Sequence, residues 1–250
     1  QPARLSGSSP VSSLRLDGRS PDAIRPLHFT RRWLPGIPGS VLVDCGLTRV
    51  LCTAVIEDGV PQFLKNTDQG WVTAEYSMLP ASTNKRKPRD RNGRVDGRSV
   101  EIQRLIGRAL RAIVDRRAIK GRTIWVDCDV LHADGGTRTT AINGAYVAMA
   151  DAVSELMSRG DLKRSPLKDS LQAISVGLVD DAPMVDLSYY EDSSAQVDMN
   201  LVMTGKGEVV EMGGGAEQGT FSLESMNDLI ELGRGGLNQV RSLQEEALAK

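Results

Sequence analysis

The sequence predicts an α+β fold, and three observations predict it. Short β-branched and apolar runs precede a long helical periodicity twice along the chain, the pattern of α/β layers in which sheets pack against helices. At 250 residues, 40% hydrophobic and 25% charged, the chain has ordinary globular composition and enough length for a large core. A polar connection, RGDLKRSPLKDS at 159–170, separates the two strand-then-helix series. The expected division is therefore 1–160 and 161–250.

The elements follow in order. SVLVDCGLTRVLCTAVIED at 40–58 reads as two strands with a hairpin between them at Gly46 to Arg49. Ser99 is placed to cap a helix running to about Arg117, whose apolar stripe is Ile102, Leu105, Ile106, Ala109, Leu110, Ile113 and Val114. Arg104, Arg108 and Arg111 fall on another face, which is solvated or meets a subunit. TIWVDCDVL at 123–131 is rich enough in apolar residues for a strand covered on both faces. Ile142, Ala145, Met149, Ala152, Val153 and Leu156 then recur at helical spacing. Beyond the connection, 171–192 and 197–212 read as short strands with turns at Asp180-Asp181 and Gly205 to Gly207. A last helix spans Leu223 to Leu248, beginning near Ser222 with Glu224 in its first turn. There is no tandem repeat of short period.

Composition excludes several classes. No apolar run approaches the length of a membrane span, and the N-terminal stretch has no hydrophobic signal core, so a soluble cytoplasmic protein without a membrane partner is expected. Cys45, Cys52 and Cys128 are odd in number and lie in apolar runs, which fits reduced, buried thiols. With only His28 and His132 present, a histidine triad or histidine-rich metal site has little material. Chemistry must rest on Arg, Asp and Glu.

Three stretches offer that chemistry. Between Lys85 and Arg98, KRKPRDRNGRVDGR holds seven basic residues against two acids although the net charge of the chain is −1. Such a loop attracts phosphate backbones, or else is a solvated loop or subunit contact. In DCDVLHADGGTRT at 127–139, Gly135-Gly136-Thr137-Arg138 links a strand to a helix. Thr137 is a suitable cap, the glycines let an anion approach the free helical N–H groups, and Arg138 either clamps that anion or faces solvent. Asp127 and Asp129 lie within the strand and read as structural; Asp134 borders the turn. Of the acids Asp186, Glu191, Asp192 and Asp198, the last two flank a short polar link that can fold back and pair their carboxylates. Paired carboxylates suit a hard cation such as Mg²⁺, although acids are also common at strand ends.

Read together, these stretches resemble the ribonuclease PH family of phosphate-dependent 3′-exoribonucleases. The resemblance runs from Arg15 to about Gln244 and is carried by RLDGR at 15–19, 39–64, GWVTAEYSMLPAST at 70–83, GRSVEIQRLIGRALRAIVD at 97–115, DCDVLHADGGTRT at 127–139, and YYEDSSAQVDMNLVMT at 189–204. It implies two similar βαβ-type halves with mixed sheets packed against helices, the first half binding phosphate and the second carrying the acids. By this resemblance Arg98, Gly136, Thr137 and Arg138 bind inorganic phosphate, Asp192 and Asp198 are the catalytic and metal-associated acids, and Arg86 and Arg89 bind RNA. It further implies phosphorolysis of precursor tRNA 3′ ends with release of nucleoside diphosphates, Mg²⁺ as cofactor, and a hexameric ring built as a trimer of dimers.

The residue types fit that reaction. Attacking and scissile phosphates repel one another, so cations and N–H groups around the nucleophile do most of the work and no histidine base is needed. One of the aspartates, Asp198 in the reading adopted here, is a candidate proton donor to the leaving 3′ oxygen. Three positions depart from the family pattern. Ala81 stands where an arginine is usual, GGGAE at 213–217 stands where QGTAE is usual, which leaves the family's local turn there open, and His132 replaces a usual glutamine. The alternative to the enzyme is a non-catalytic RNA-binding ring subunit of the same fold, but such scaffolds typically lack the phosphate arginines or the acids. A hydrolase of small phosphoesters is a third possibility that has no need of the basic loop.

Overall fold

The computed structural model describes residues 15–89, 96–217 and 219–250. The first fourteen residues and the centre of the basic loop, 90–95, lie outside the described residues. Two sheets and four helices make up the fold. The first sheet has the order β1-β2-β3-β5-β4, from Leu27–Arg31, Ser40–Cys45, Thr48–Asp58, Arg122–His132 and Trp71–Met78. It is mixed: β4 runs parallel to β5, while the other pairs are antiparallel. The second sheet, β7-β6-β8-β9, is antiparallel and formed by Ala182–Val185, Leu171–Val179, Val197–Thr204 and Val209–Ala216.

The hairpin between β2 and β3 closes over Gly46-Leu47, with Gly46 in the left-handed conformation a tight turn needs. Helix α1, Gly97–Ala112, starts earlier than the sequence predicts because Asp96, not Ser99, caps it, accepting the Arg98 N–H. It also ends earlier; Ile113 and Val114 are buried beyond it, and Val114 bridges to Leu167. Helix α2, Thr137–Ser158, carries no one-sided stripe: almost every residue from Thr137 to Val153 is buried. The reason is position, since α2 touches β2, β3 and β5 of the first sheet and β6 of the second. Helix α4, Leu223–Ala249, is capped by Ser222 and covers β6 and β7.

Buried amides lock α2 to the second sheet. Strand β7 pairs with only the last part of β6, which leaves Ala173 without a strand partner on that side. The Asn143 side chain supplies both bonds, donating to the Ala173 carbonyl at 2.9 Å and accepting its N–H at 2.8 Å. Gln244 of α4 adds bonds to the Asn143 and Leu171 carbonyls.

Strand β5 differs from expectation in having one open face. Ile124, Val126, Cys128 and Val130 point into the core, whereas Trp125 is exposed and Asp127 and Asp129 are half-buried. Helices cover only one side of the first sheet, so strict alternation replaces burial on both faces. Burial, the nearby Glu75 and, for Asp127, its neighbour Asp129 raise the carboxyls of both acids. All three cysteines are free and buried, and no helix among the described residues is long and apolar enough to cross a membrane.

Candidate active site

The crossover from β4 through α1 to β5 decides where the chemistry gathers. Because β4 and β5 are parallel, their last residues, Met78 and His132, lie at one edge of the sheet. The helix running back across the sheet starts at that edge, so Arg98 in its first turn comes to Met78, with its Nη1 3.5 Å from the sulfur. Strand β5 leads into α2 through Asp134-Gly135-Gly136, which brings the start of α2 to the same edge. The resulting cavity, of about 550 Å³, is lined among others by Arg98, Gly136, Thr137, Lys85 and Asp192.

The turn differs in detail from the sequence-based expectation. Gly136, in the left-handed conformation at φ 63°, is the N-cap of α2, and Thr137 is its first helical residue. Thr137 does not cap with its side chain; its hydroxyl meets the Tyr76 hydroxyl at 3.0 Å. The first backbone N–H groups of α2 have no acceptor within the helix and join the positive end of a 22-residue helix dipole.

Asp192 lies in the short helix α3, Tyr189–Ser194, which is closed by a capping box between Ser188 and Glu191. The chain folds back through Ala195 and Gln196, so that Asp198, on β8, comes near enough to Asp192 for each carboxyl to perturb the other. Asp198 stands opposite Gly177 of β6 and Gly215 of β9, so neither neighbouring strand places a side chain beside it. Gly213 to Ala216, where the departure from QGTAE left the local turn open, are strand paired with β8. A side chain on Gly214 would fall 2.2 Å from the Asp198 carbonyl.

The acids are electrostatically strained. Burial and the charge of Asp192 push the Asp198 carboxyl up to about 6, with Arg138 pulling against them and Glu217 adding to the rise. Burial likewise raises Asp192, against opposition from Arg138 and Arg98. Both arginines therefore act on the acids across the cleft. Arg138 itself borders an adjoining cavity of about 480 Å³ between α1 and β9, where its Nη1 donates to Glu101 at 3.2 Å. Arg86 and Arg89 are exposed. From their loop it is Lys85 that lines the first cavity, a residue the motif comparison did not single out. A larger cleft, of about 730 Å³ between β1 and the end of α4, gathers no paired acids, and its Arg31 is committed to Asp151.

Sequence reasoning also missed the side chains that assemble these pieces. Arg25 is buried; its guanidinium bonds both Asp186 oxygens, at 3.0 and 2.7 Å, and its Nη1 donates to the Asp134 carbonyl at 2.6 Å. Arg15 donates to both Glu191 oxygens, at 2.7 and 2.6 Å, and to the Val185 and Asp186 carbonyls. Burial alone would raise the Asp186 and Glu191 carboxyls, but bonds from Arg25 and Arg15 respectively hold both below the usual range. Thr48 completes the clamp, accepting the Asp134 N–H at 2.9 Å and donating to the Gly135 carbonyl at 2.7 Å. The sequence signals were the RLDGR motif, which contains Arg15 and Arg19, and the acids Asp186 and Glu191; nothing pointed to Arg25 or Thr48.

This architecture defines a class: an α+β protein in which a helix start and two arginines from one half stand near two perturbed acids from the other. A model of the 3′ exoribonuclease family, domain 1, matches residues 23–155, and that of domain 2 matches 170–236. The chain belongs to this family. It is 50% identical over 239 residues to the Ribonuclease PH of Bacillus velezensis, across 95% of this chain and 98% of that protein. Rice (Oryza sativa) Rrp46 has the same fold, with a TM-score of 0.77 and 22% identity over 94% of this chain and all of that one. So does a chain of the Archaeoglobus fulgidus exosome with RNA bound to the active site, at TM-score 0.77 and 22% identity over 94% of this chain and 92% of that chain.

Gly135 is where the two halves meet most tightly. Its φ is 74°, and an added Cβ would lie 2.7 Å from Ser188 C and Tyr189 N and 2.8 Å from the Leu187 carbonyl oxygen. Gly135→Ala should therefore push the turn away from the helix that carries Asp192, lowering both the midpoint of urea unfolding and turnover. Unchanged values in both measurements would show that the contact is dispensable.

Proposed function

We propose that the chain is a phosphorolytic 3′-5′ exoribonuclease that trims the 3′ ends of precursor tRNA one nucleotide at a time. The observation that supports the reading is one cavity shared by Arg98, the start of α2 and Asp192, with Arg138 bordering the adjoining cavity and acting electrostatically on both Asp192 and Asp198. In this reading, residues 1–160 form the half that holds inorganic phosphate and 161–250 the half that supplies the acids. Arg98, Arg138 and the N–H groups after Gly136 and Thr137 compensate the charge of the attacking phosphate and orient an oxygen at the terminal phosphodiester. The P–O bond to the leaving 3′ oxygen breaks as the new P–O bond forms, giving a nucleoside diphosphate and an RNA shortened by one nucleotide. Asp198, with its raised affinity for a proton, is the candidate donor to that 3′ oxygen.

Alternatively, with both ionised, Asp192 and Asp198 would hold a divalent cation such as Mg²⁺, which fits two carboxylates whose mutual repulsion a cation relieves. Bound there, it supplies charge neutralisation for phosphate oxygens. Among the described residues no group of three His, Cys, Asp or Glu side chains is arranged to hold a metal, so the remaining ligands would be water and substrate phosphate. Arg86 and Arg89, exposed ahead of the cavity, are assigned to RNA. A hexameric ring, a trimer of dimers in the cytoplasm, completes the proposal. Retention of both the phosphate arginines and the acids favours the enzyme over a non-catalytic ring scaffold.

Incubation with RNA bearing an unstructured 3′ tail, Mg²⁺ and phosphate should release nucleoside diphosphates. Nucleoside monophosphates formed equally well without phosphate would mean hydrolysis instead. The raised Asp198 carboxyl gives a second test. Between its ordinary value near 3.8 and about 6, the folded protein binds more protons than the unfolded chain, so stability falls as pH rises through that window and stays lower above it. Asp198→Asn should nearly abolish turnover yet raise stability at pH 7 by on the order of 1–3 kcal/mol. That gain should vanish below about pH 4. A thermal midpoint no higher than wild type at neutral pH would refute the assignment.

A further inference from the structure

At the far end of β4 from the phosphate cavity, an aromatic and basic cluster stands outside both cavities described above. Phe63 is 65% exposed and meets Trp71 edge to face, with ring centroids 5.1 Å apart. The Arg111 guanidinium lies over the Trp71 ring, 4.6 Å from its centroid, and that of Arg116 at 5.7 Å. The backbone beneath is closely fitted. The Gly70 N–H donates to the Arg116 carbonyl at 2.8 Å, and a Cβ on Gly70 would fall 2.1 Å from the Ile119 carbonyl oxygen. Arg111 Nη1 also donates to the Val72 carbonyl at 2.9 Å. The ring from β4 and the arginines after α1 are thus held in one arrangement.

The cluster has positive charge to spare. Asp68 and Asp115 are already paired with Lys120 and Arg164; Arg117, exposed and next in the chain to Arg116, also acts on Asp68, and among the described residues neither Arg116 nor Arg117 forms a direct ion pair with a carboxylate. An exposed ring offers a face for a base, and unpaired guanidiniums offer bonds to phosphates; together they make a sequence-tolerant platform for single-stranded nucleic acid. Strand β4 runs from this cluster at Trp71 to Met78, where Arg98 sits, a path of roughly 23 Å at about 3.3 Å per residue. We propose that Phe63, Arg116 and Arg117 form a second RNA contact, which takes a nucleotide upstream while the 3′ end lies at Asp192 and Asp198. The proposal rests on the RNA-degrading function above. A copy of the same patch across a two-fold axis would bring like charges together, whereas a polyanion complements them.

The test compares wild type, Phe63→Ala, and the double variant Arg116→Ala/Arg117→Ala. Fluorescence anisotropy without phosphate, where no phosphorolysis occurs, measures binding of two unstructured RNAs, one long enough to span the distance and one too short to reach the cluster. Each variant should bind the long RNA about fivefold or more weakly. The short RNA should bind as to wild type, and the arginine variant should show a shallower salt dependence with the long one. Mass by light scattering should be unchanged. Equal affinity of all three proteins for the long RNA, or an equal loss for both RNAs, overturns the proposal; a change in mass assigns the cluster to a contact between copies instead. Nucleoside diphosphate release from the short RNA is scored separately, so failure of the activity reading is distinguishable from failure of this contact.

Discussion

The Arg25 guanidinium, held by both oxygens of Asp186 and by the Asp134 carbonyl, joins the segment before β1, the glycine turn ahead of α2 and the loop leading to α3. Burying two charges costs several kcal/mol each and is offset only when the remaining donors and acceptors are also satisfied. Here they are: Asp186 also accepts the Arg25 backbone N–H at 2.7 Å, and Arg19 lies within 3.5 Å of the same carboxylate. Arg15 repeats the device at Glu191, one residue before Asp192. An incomplete version of this network would leave charges buried without partners, so turn and acids are fixed together or not at all. The site inherits its geometry from side chains that never face the cleft.

The same economy appears in the glycines. Gly135 permits backbone of one half to touch backbone of the other, Gly177 makes room for Leu187 and the Val197 carbonyl, and Gly215 leaves open space on the β9 side of Asp198. The acids remain crowded at a cost, shown by the rise of the Asp198 carboxyl to about 6. Arg138 opposes the rise at both acids and Arg98 opposes it at Asp192, so the arginines proposed to hold phosphate also support the acids.

Much of this was legible in the sequence. Apolar residues at helical spacing located α1 and α2, although α2 is buried nearly all round, Ser222 and Glu224 located the start of α4, and the β2–β3 hairpin announced itself through Gly46. The motif comparison brought Arg98, Gly136, Thr137 and Asp192 to one cavity. Other features depended on distant contacts. Ser99 and Asp96 are both good caps three residues apart, and only the start of the helix selects between them. Arg25 and Asp186 are 161 residues apart, with no local pattern linking them. Gly213 to Gly215 have low β-propensity and carry no strand signal of their own; pairing with β8 makes them strand. All-round burial of α2 follows from its place between two sheets, which no window of sequence contains.

If the buried pair sets the site, a change at Asp186 must weaken phosphate binding although Asp186 lines neither cavity. The direct measurement is calorimetric titration of inorganic phosphate into the wild-type protein and into Asp186→Asn, with folding of both verified by circular dichroism. A clear loss of phosphate affinity in the folded variant is the expected result. A folded variant that binds phosphate as tightly as wild type would contradict the dependence of the site on this ion pair.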